Sequence, residues 1–208
     1  MSEPAPPPFD PRPSAGRYQD PLDLIWTRVA QRCGLRLERS AEVFASWDGK
    51  DTLHLARADD FDPDDSLAQL VLHELCHALV EGPAALRRPD WGLCNRSERD
   101  IVREHACHRV QAALSTPHGL RLLLAPTTEH RVYFDALPQD PLASPDDNDC
   151  EPDPALPAAR EGHARALHGP WADALREGLE LSAQLLAVVG PVAPEGSLWR
   201  VAWEQAEG

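Results

Sequence analysis

Leu24, Ile25, Val29 and Ala30 recur at helical spacing behind Asp20-Pro21, and Gly34 closes the amphipathic helix they predict. The period then changes. Leu35 to Glu38 alternates, as do parts of Val43 to Trp47 and of Thr52 to Leu55, with Asp48-Gly49 between the last two. Alternation around a glycine turn predicts a small antiparallel sheet. Leu67, Val71, Leu75 and Ala78 restore the helical period along one side of a second amphipathic helix. Asp64, Asp65 or Ser66 can cap its start and Gly82-Pro83 can stop it. Ser97 and Asp100 have the spacing of a capping box and open a further helix that runs to about Ser115. Beyond Pro117, Leu120 to Leu124 reads as a short helix and Arg131 to Phe134 as a strand. Ala158 to Val189 is helical in pattern, broken at Gly169-Pro170, and its second piece presents Leu175, Leu179, Leu181, Leu185 and Leu186 to a core. Trp199 and Trp203 are placed to anchor the end of the chain.

These elements predict an α+β protein of 208 residues with one core. Residues 1–19 read as a disordered Pro-rich tail, 20–135 as the folded domain, 136–158 as an acidic, Pro-rich loop or linker, and 159–208 as a helical extension packing on the domain. A formal charge of -14 without a Lys/Arg cluster disfavours nucleic acid and anionic membranes as partners. The start of the chain has no apolar signal core, and the run Leu185 to Val189 is too short to span a bilayer, so a soluble, cytoplasmic protein is expected. Cys33, Cys76, Cys94, Cys107 and Cys150 form neither an even set nor a close pair, which predicts reduced thiols. Nothing in the pattern sets an oligomeric state.

The chemistry concentrates in His73-Glu74-Leu75-Cys76-His77. Two histidines at i and i+4 project from one helical face and can share a metal ion, while Glu74 stands beside it as a base and not as a ligand. A catalytic zinc takes three protein ligands and keeps a fourth position for water, so a third residue is required. On the helix after Ser97, Glu104 and His108 share one face and Glu98 and His105 another, and spacing alone does not choose among them. Cys76 and Cys94 read as small apolar filler. The stretch Asp90 to Asn95 either borders the cleft or forms an ordinary turn, and Asp146 to Asp149 reads as a solvated loop.

From about Asp20 to Pro117 the order of helix, hairpin, His-Glu-x-x-His helix and second acidic helix resembles the ImmA/IrrE family of small gluzincin metallopeptidases. The hairpin Trp47 to Leu55 with its glycine turn and the run Glu104 to Pro117 carry the likeness. Val110 stands at the family's aromatic position, while Cys107, His108 and Gln111 depart from Ala, Asn/Asp and Ala. The resemblance implies a zincin-like fold, in which the sheet packs on the motif helix and a second ligand helix and further helices follow. It implies Zn²⁺ held by His73, His77 and Glu104, with peptide bonds of a protein or peptide substrate cleaved using Glu74 as general base. His105 and His108 are then candidates to support the ligands or stabilise the transition state, with His130 and Tyr133 also considered. No DNA-binding helix-turn-helix segment accompanies the motif. Gly82, Arg87-Arg88 and Asp90-Trp91-Gly92 give a looser resemblance to the elongation factor P hydroxylase family, which implies Fe²⁺ on the same ligands and a hydroxylase. A third expectation is a non-catalytic metal-binding adaptor.

Overall fold

The computed structural model describes residue 16 and residues 18–94, 97–127, 131–144 and 153–208. The expectations for most of the Pro-rich tail, for Asn95, His130 and Cys150, and for Asp146 to Asp149 lie outside them. Helix α1, Pro21–Arg32, starts where Asp20 accepts hydrogen bonds from the amides of Leu22 and Asp23, and leads through Gly34 into the sheet. Strands β1 (Arg36–Ser40), β2 (Ala45–Trp47) and β3 (Thr52–Ala56) follow, in the order β1-β3-β2.

The sheet is mixed, not antiparallel as the alternation predicts: β2 pairs antiparallel with β3, but β1 runs parallel to it, with Leu37 opposite Leu53. The hairpin at Asp48-Gly49 uses one edge of β3 and leaves the other to β1. Strand β3 is mostly buried, whereas β1 is largely exposed, so the more apolar strand takes the centre. The hairpin turn is tied by Asp48, whose Oδ1 accepts from the amides of Lys50, Asp51 and Thr52 at 2.8, 3.1 and 3.0 Å. Gly49 sits there at φ 77°, and a Cβ on it would lie 2.8 Å from the Pro89 nitrogen. Gly49→Ala should therefore destabilise the protein by about 1–3 kcal/mol in denaturant titration, and an unchanged midpoint would contradict this close approach.

Helix α2, Leu67–Glu81, is capped by Ser66 Oγ, which accepts from Gln69 N. Its residues from Leu67 to Val80 are all buried, so the side opposite the apolar stripe is covered as well. The reason is its position: α1, α3 (Glu98–Ser115) and α5 (Leu156–His168) pack around it. Ser97 caps α3 by accepting from the Asp100 amide.

Leu120 to Leu124 makes a helical turn closed by the Leu124 amide on the Leu120 carbonyl. Arg131 to Phe134, expected as a strand, belongs to the short helix α4, Arg131–Asp135. Arg131 pairs with Asp135 one turn on, and Phe134 is buried while Val132 faces outward, a division that a helical turn permits. Helix α5 begins at Leu156, slightly earlier than the pattern suggests, because Pro157 fits its first turn without loss of a backbone hydrogen bond. Helices α6 (Ala172–Val189) and α7 (Leu198–Glu207) complete the chain. Trp26 of α1 donates to Ser182 of α6 at 3.1 Å, and Trp199 and Trp203 pack partly buried on the core. No helix among the described residues is long and apolar enough to cross a membrane.

Candidate metal centre

Helices α2 and α3 lie side by side, and the polar groups between them are unusual for a protein interior. His73, Glu74, His77 and Glu104 are only 4–7 % exposed, and His108 is fully enclosed. Histidine and glutamate are rarely buried unless paired, so each needs a partner. His73 and His77, one turn apart on α2, point their Nε2 atoms at each other across 3.0 Å. Glu104 of α3 meets both, with Oε1 3.1 Å from His73 Nε2 and Oε2 3.2 Å from His77 Nε2. His108 Nε2 is 3.3 Å from Glu104 Oε1. Five ring and carboxylate atoms thus converge, yet Glu104 Oε1 is buried without a hydrogen bond.

That geometry matches the spacing of ligands around a small divalent cation. Ligand atoms bound tetrahedrally at about 2.0–2.1 Å from Zn²⁺ lie about 3.3 Å apart. The observed separations of 3.0, 3.1 and 3.2 Å among His73, His77 and Glu104 are close to this spacing. The donors are two imidazoles and one carboxylate, a set suited to Zn²⁺ or Fe²⁺. His73, Glu74 and His77 form one group with ligand atoms within 4.8 Å of one another, and His73, Glu104 and His108 form another.

The outer contacts orient the same atoms. His73 Nδ1 lies 3.1 Å from Gln111 Oε1, while Gln111 Nε2 donates to the Leu124 carbonyl at 2.8 Å. The carbonyl fixes the amide's orientation, so Oε1 accepts from a protonated Nδ1, and His73 turns the lone pair of Nε2 inward once it gives up its proton there. His77 Nδ1 faces Cys107 Sγ at 3.0 Å. Burial pushes the Cys107 thiol well up, as it does that of Cys76, so both are neutral. Burial opposes charge on His73, but Glu104, Glu74 and Gln111 outweigh it and raise its pKa to about 9. Burial likewise disfavours the Glu104 carboxylate, yet His73 and His77 hold it well below the usual carboxylate range. His108 is dominated by burial, only partly offset by Glu104, and falls to about 4.

Glu74 lies within reach of His73 and His77 and has a further partner of its own. Its Oε2 accepts from the Trp91 indole N–H at 2.7 Å, in a contact buried on both sides. Trp91 belongs to the stretch 90–95 that the sequence places either at a cleft or in a turn, and it reaches Glu74 directly.

The remaining candidates separate clearly. Glu98 is exposed, and His105 stacks on the Tyr133 ring at 3.7 Å. The Tyr133 hydroxyl donates to Asp153 at 2.8 Å and accepts from Arg109, and burial with Asp153 raises its pKa. That hydroxyl is thus committed to the Arg109–Asp153 pair. Cys94 is exposed, not apolar filler, and its thiol donates to Asp100 at 2.9 Å. Among the described residues the cysteines are free thiols.

In the sequence Gln111 stands out only as a departure from the resembled family and Trp91 only as part of the 90–95 stretch, and neither is assigned a contact at this site. A signal for Gln111 exists in retrospect: it stands seven residues after Glu104, two turns along the same helical face. For Trp91 the sign is the placing of the 90–95 stretch at a cleft or in a turn, which does not single out its indole. No family model, curated protein or solved structure matches the chain.

Proposed function

We propose that the protein is a metal-dependent hydrolase of peptide bonds, with His73, His77 and Glu104 as ligands of a Zn²⁺ ion and Glu74 as general base. The observation that carries the reading is the convergence of His73 Nε2, His77 Nε2 and both Glu104 oxygens at 3.0–3.2 Å in a buried pocket of side chains. A divalent cation held there supplies Lewis acidity, polarising a carbonyl and lowering the pKa of an associated water to about 7. Glu74 accepts a proton from the attacking water and delivers it to the amide nitrogen as the carbon–nitrogen bond breaks. His73 and His77 keep their orientation through Gln111 and Cys107. His108, neutral and enclosed beside Glu104, supports that carboxylate.

The partner is then a protein or peptide substrate. The zincin-like likeness of the motif and second helix supports this reading, as does the placing of Glu104 opposite both histidines. Purified protein assayed on fluorophore-labelled casein after loading with Zn²⁺ tests it. Release of labelled peptides that stops with chelation is expected, and zinc-loaded protein inert on casein and on peptide libraries would remove the peptidase reading.

A second reading uses Fe²⁺ on the same three ligands. Two histidines and one carboxylate are the ligand set of non-haem iron oxygenases, and the near-complete burial of all three favours a small co-substrate. Oxygen consumption by the iron-loaded form, with none by the zinc-loaded form, would select it.

Under either reading Gln111 supports a ligand. Gln111→Ala should weaken metal binding by about 10- to 100-fold in competition with a chelating dye, since it frees the ring of His73. Unaltered affinity would show that the Gln111 contact does not orient the ligand.

A further inference from the structure

The Glu74–Trp91 contact admits an unremarkable explanation, in which a buried indole N–H takes the nearest acceptor. Three features of the backbone around Trp91 speak for a stronger one. Asp90 and Trp91 are consecutive non-glycine residues in the left-handed region, at φ 46° and 56°, and Gly92 follows at 80°. Such conformations are strained and persist only where the surroundings enforce them.

The surroundings do enforce them here. Asp90 Oδ1 accepts from the Ser46 hydroxyl of β2 at 2.8 Å. The Trp91 ring lies parallel to Trp47 of β2, with centroids 4.7 Å apart and planes 2° from parallel. Trp47 is itself held by its indole N–H on the Leu86 carbonyl. Gly92 leaves space for the Arg88 guanidinium, whose Cζ would be 2.3 Å from a Cβ at that position. The strained turn is thus pinned to the sheet, and its one buried polar product is the 2.7 Å bond to Glu74.

We infer that Trp91 is a positioning residue for Glu74, using its indole N–H to hold one carboxylate oxygen so that the other faces the reacting water. This rests on Glu74 acting as the base of a metal centre. Trp91 touches neither substrate nor metal in this scheme. A carboxylate on a flexible side chain otherwise samples several rotamers, and tying Oε2 to a ring that is itself stacked and strained removes that freedom before substrate arrives. It also separates the two oxygens by role: Oε2 accepts from Trp91, and Oε1 remains for proton transfer.

The bond is read directly in ¹H–¹⁵N correlation spectra of the full zinc-loaded chain, where the six tryptophans give six indole signals. Trp91→Phe identifies the signal of Trp91 by its disappearance. Glu74→Ala should then shift that signal while the signal of Trp26, bonded to Ser182, stays in place. A Trp91 signal indifferent to Glu74→Ala overturns the inference even if the metal centre is correct. Trp91→Phe should keep its zinc and lower kcat on labelled casein by about 10- to 100-fold with little change in KM, as expected for loss of a hydrogen bond to a charged group. Wild-type kcat in zinc-replete Trp91→Phe also overturns it. Should Trp91→Phe fail to fold, the Glu74→Ala spectrum decides alone, with the Trp91 signal assigned from sequential connectivities. Full turnover in Glu74→Gln would instead remove the underlying base, a failure visible without reference to the Trp91 signal.

Discussion

Glu104→Ala should reduce metal affinity by more than about a hundredfold, exceeding the effect of losing an outer hydrogen bond to a ligand. Glu104 is the anionic member of the set, and it comes from a different helix than the two histidines. Without it, two imidazoles on one helix remain, which is an incomplete set for a catalytic zinc. The structure also indicates a route by which the variant is rescued: His108 Nε2 lies 3.3 Å from the position of Glu104 Oε1. The double variant Glu104→Ala/His108→Ala therefore accompanies the single one. Metal analysis and thermal unfolding with and without chelator provide the readouts. Bound metal at a hundred times its dissociation constant stabilises the native state by about 2.7 kcal/mol, so chelation should lower the wild-type Tm and leave that of Glu104→Ala unchanged. Unchanged metal content in both variants would sink the assignment of Glu104. Content lost only in the double variant would show that His108 moves into the vacated position.

The ease of reading this site in the chain follows the range of the interactions involved. Asp20, Ser66 and Ser97 cap helices through contacts two or three residues away, so their roles are legible in a local window. His73 and His77 are legible for the same reason, because one turn of helix fixes their relation whatever surrounds them. Glu104 is a different case: its helix presents two polar faces, and only the docking of α3 on α2 shows that the face with Glu104 and His108 turns inward. The sheet order is harder still. Parallel pairing of β1 with β3 depends on a connection that leaves the β2 hairpin on the opposite edge, and alternation in each strand is blind to its partner. Trp91 was the least accessible, since a left-handed tryptophan contradicts local preference and exists only because Trp47, Ser46 and Glu74 fix its surroundings.

Glu74→Gln should separate metal binding from chemistry. The substitution preserves the shape of the side chain, and its amide oxygen can still accept from Trp91, so the packing between α2 and the 90–92 turn survives. Glu74 Oε2 is engaged by Trp91 at 2.7 Å, whereas Glu104 supplies the carboxylate that faces both histidines. Zinc content should accordingly stay at the wild-type level. What the amide lacks is a site for the proton of the attacking water, and loss of a general base slows turnover by about 10²–10⁴-fold. Taken with Glu104→Ala, the expected pattern is a double dissociation: one variant loses metal and activity together, the other only activity. If Glu74→Gln loses zinc instead, Glu74 belongs among the ligands and the assignment of base and ligand is wrong. If it keeps both zinc and turnover, proton transfer has another acceptor. His108 would then be a poor choice, because it is enclosed beside Glu104, and Tyr133 is committed to Asp153. On the proposed reading Glu74 is therefore the group on which proton transfer depends, and this substitution bears most directly on whether a metal bound here performs hydrolysis.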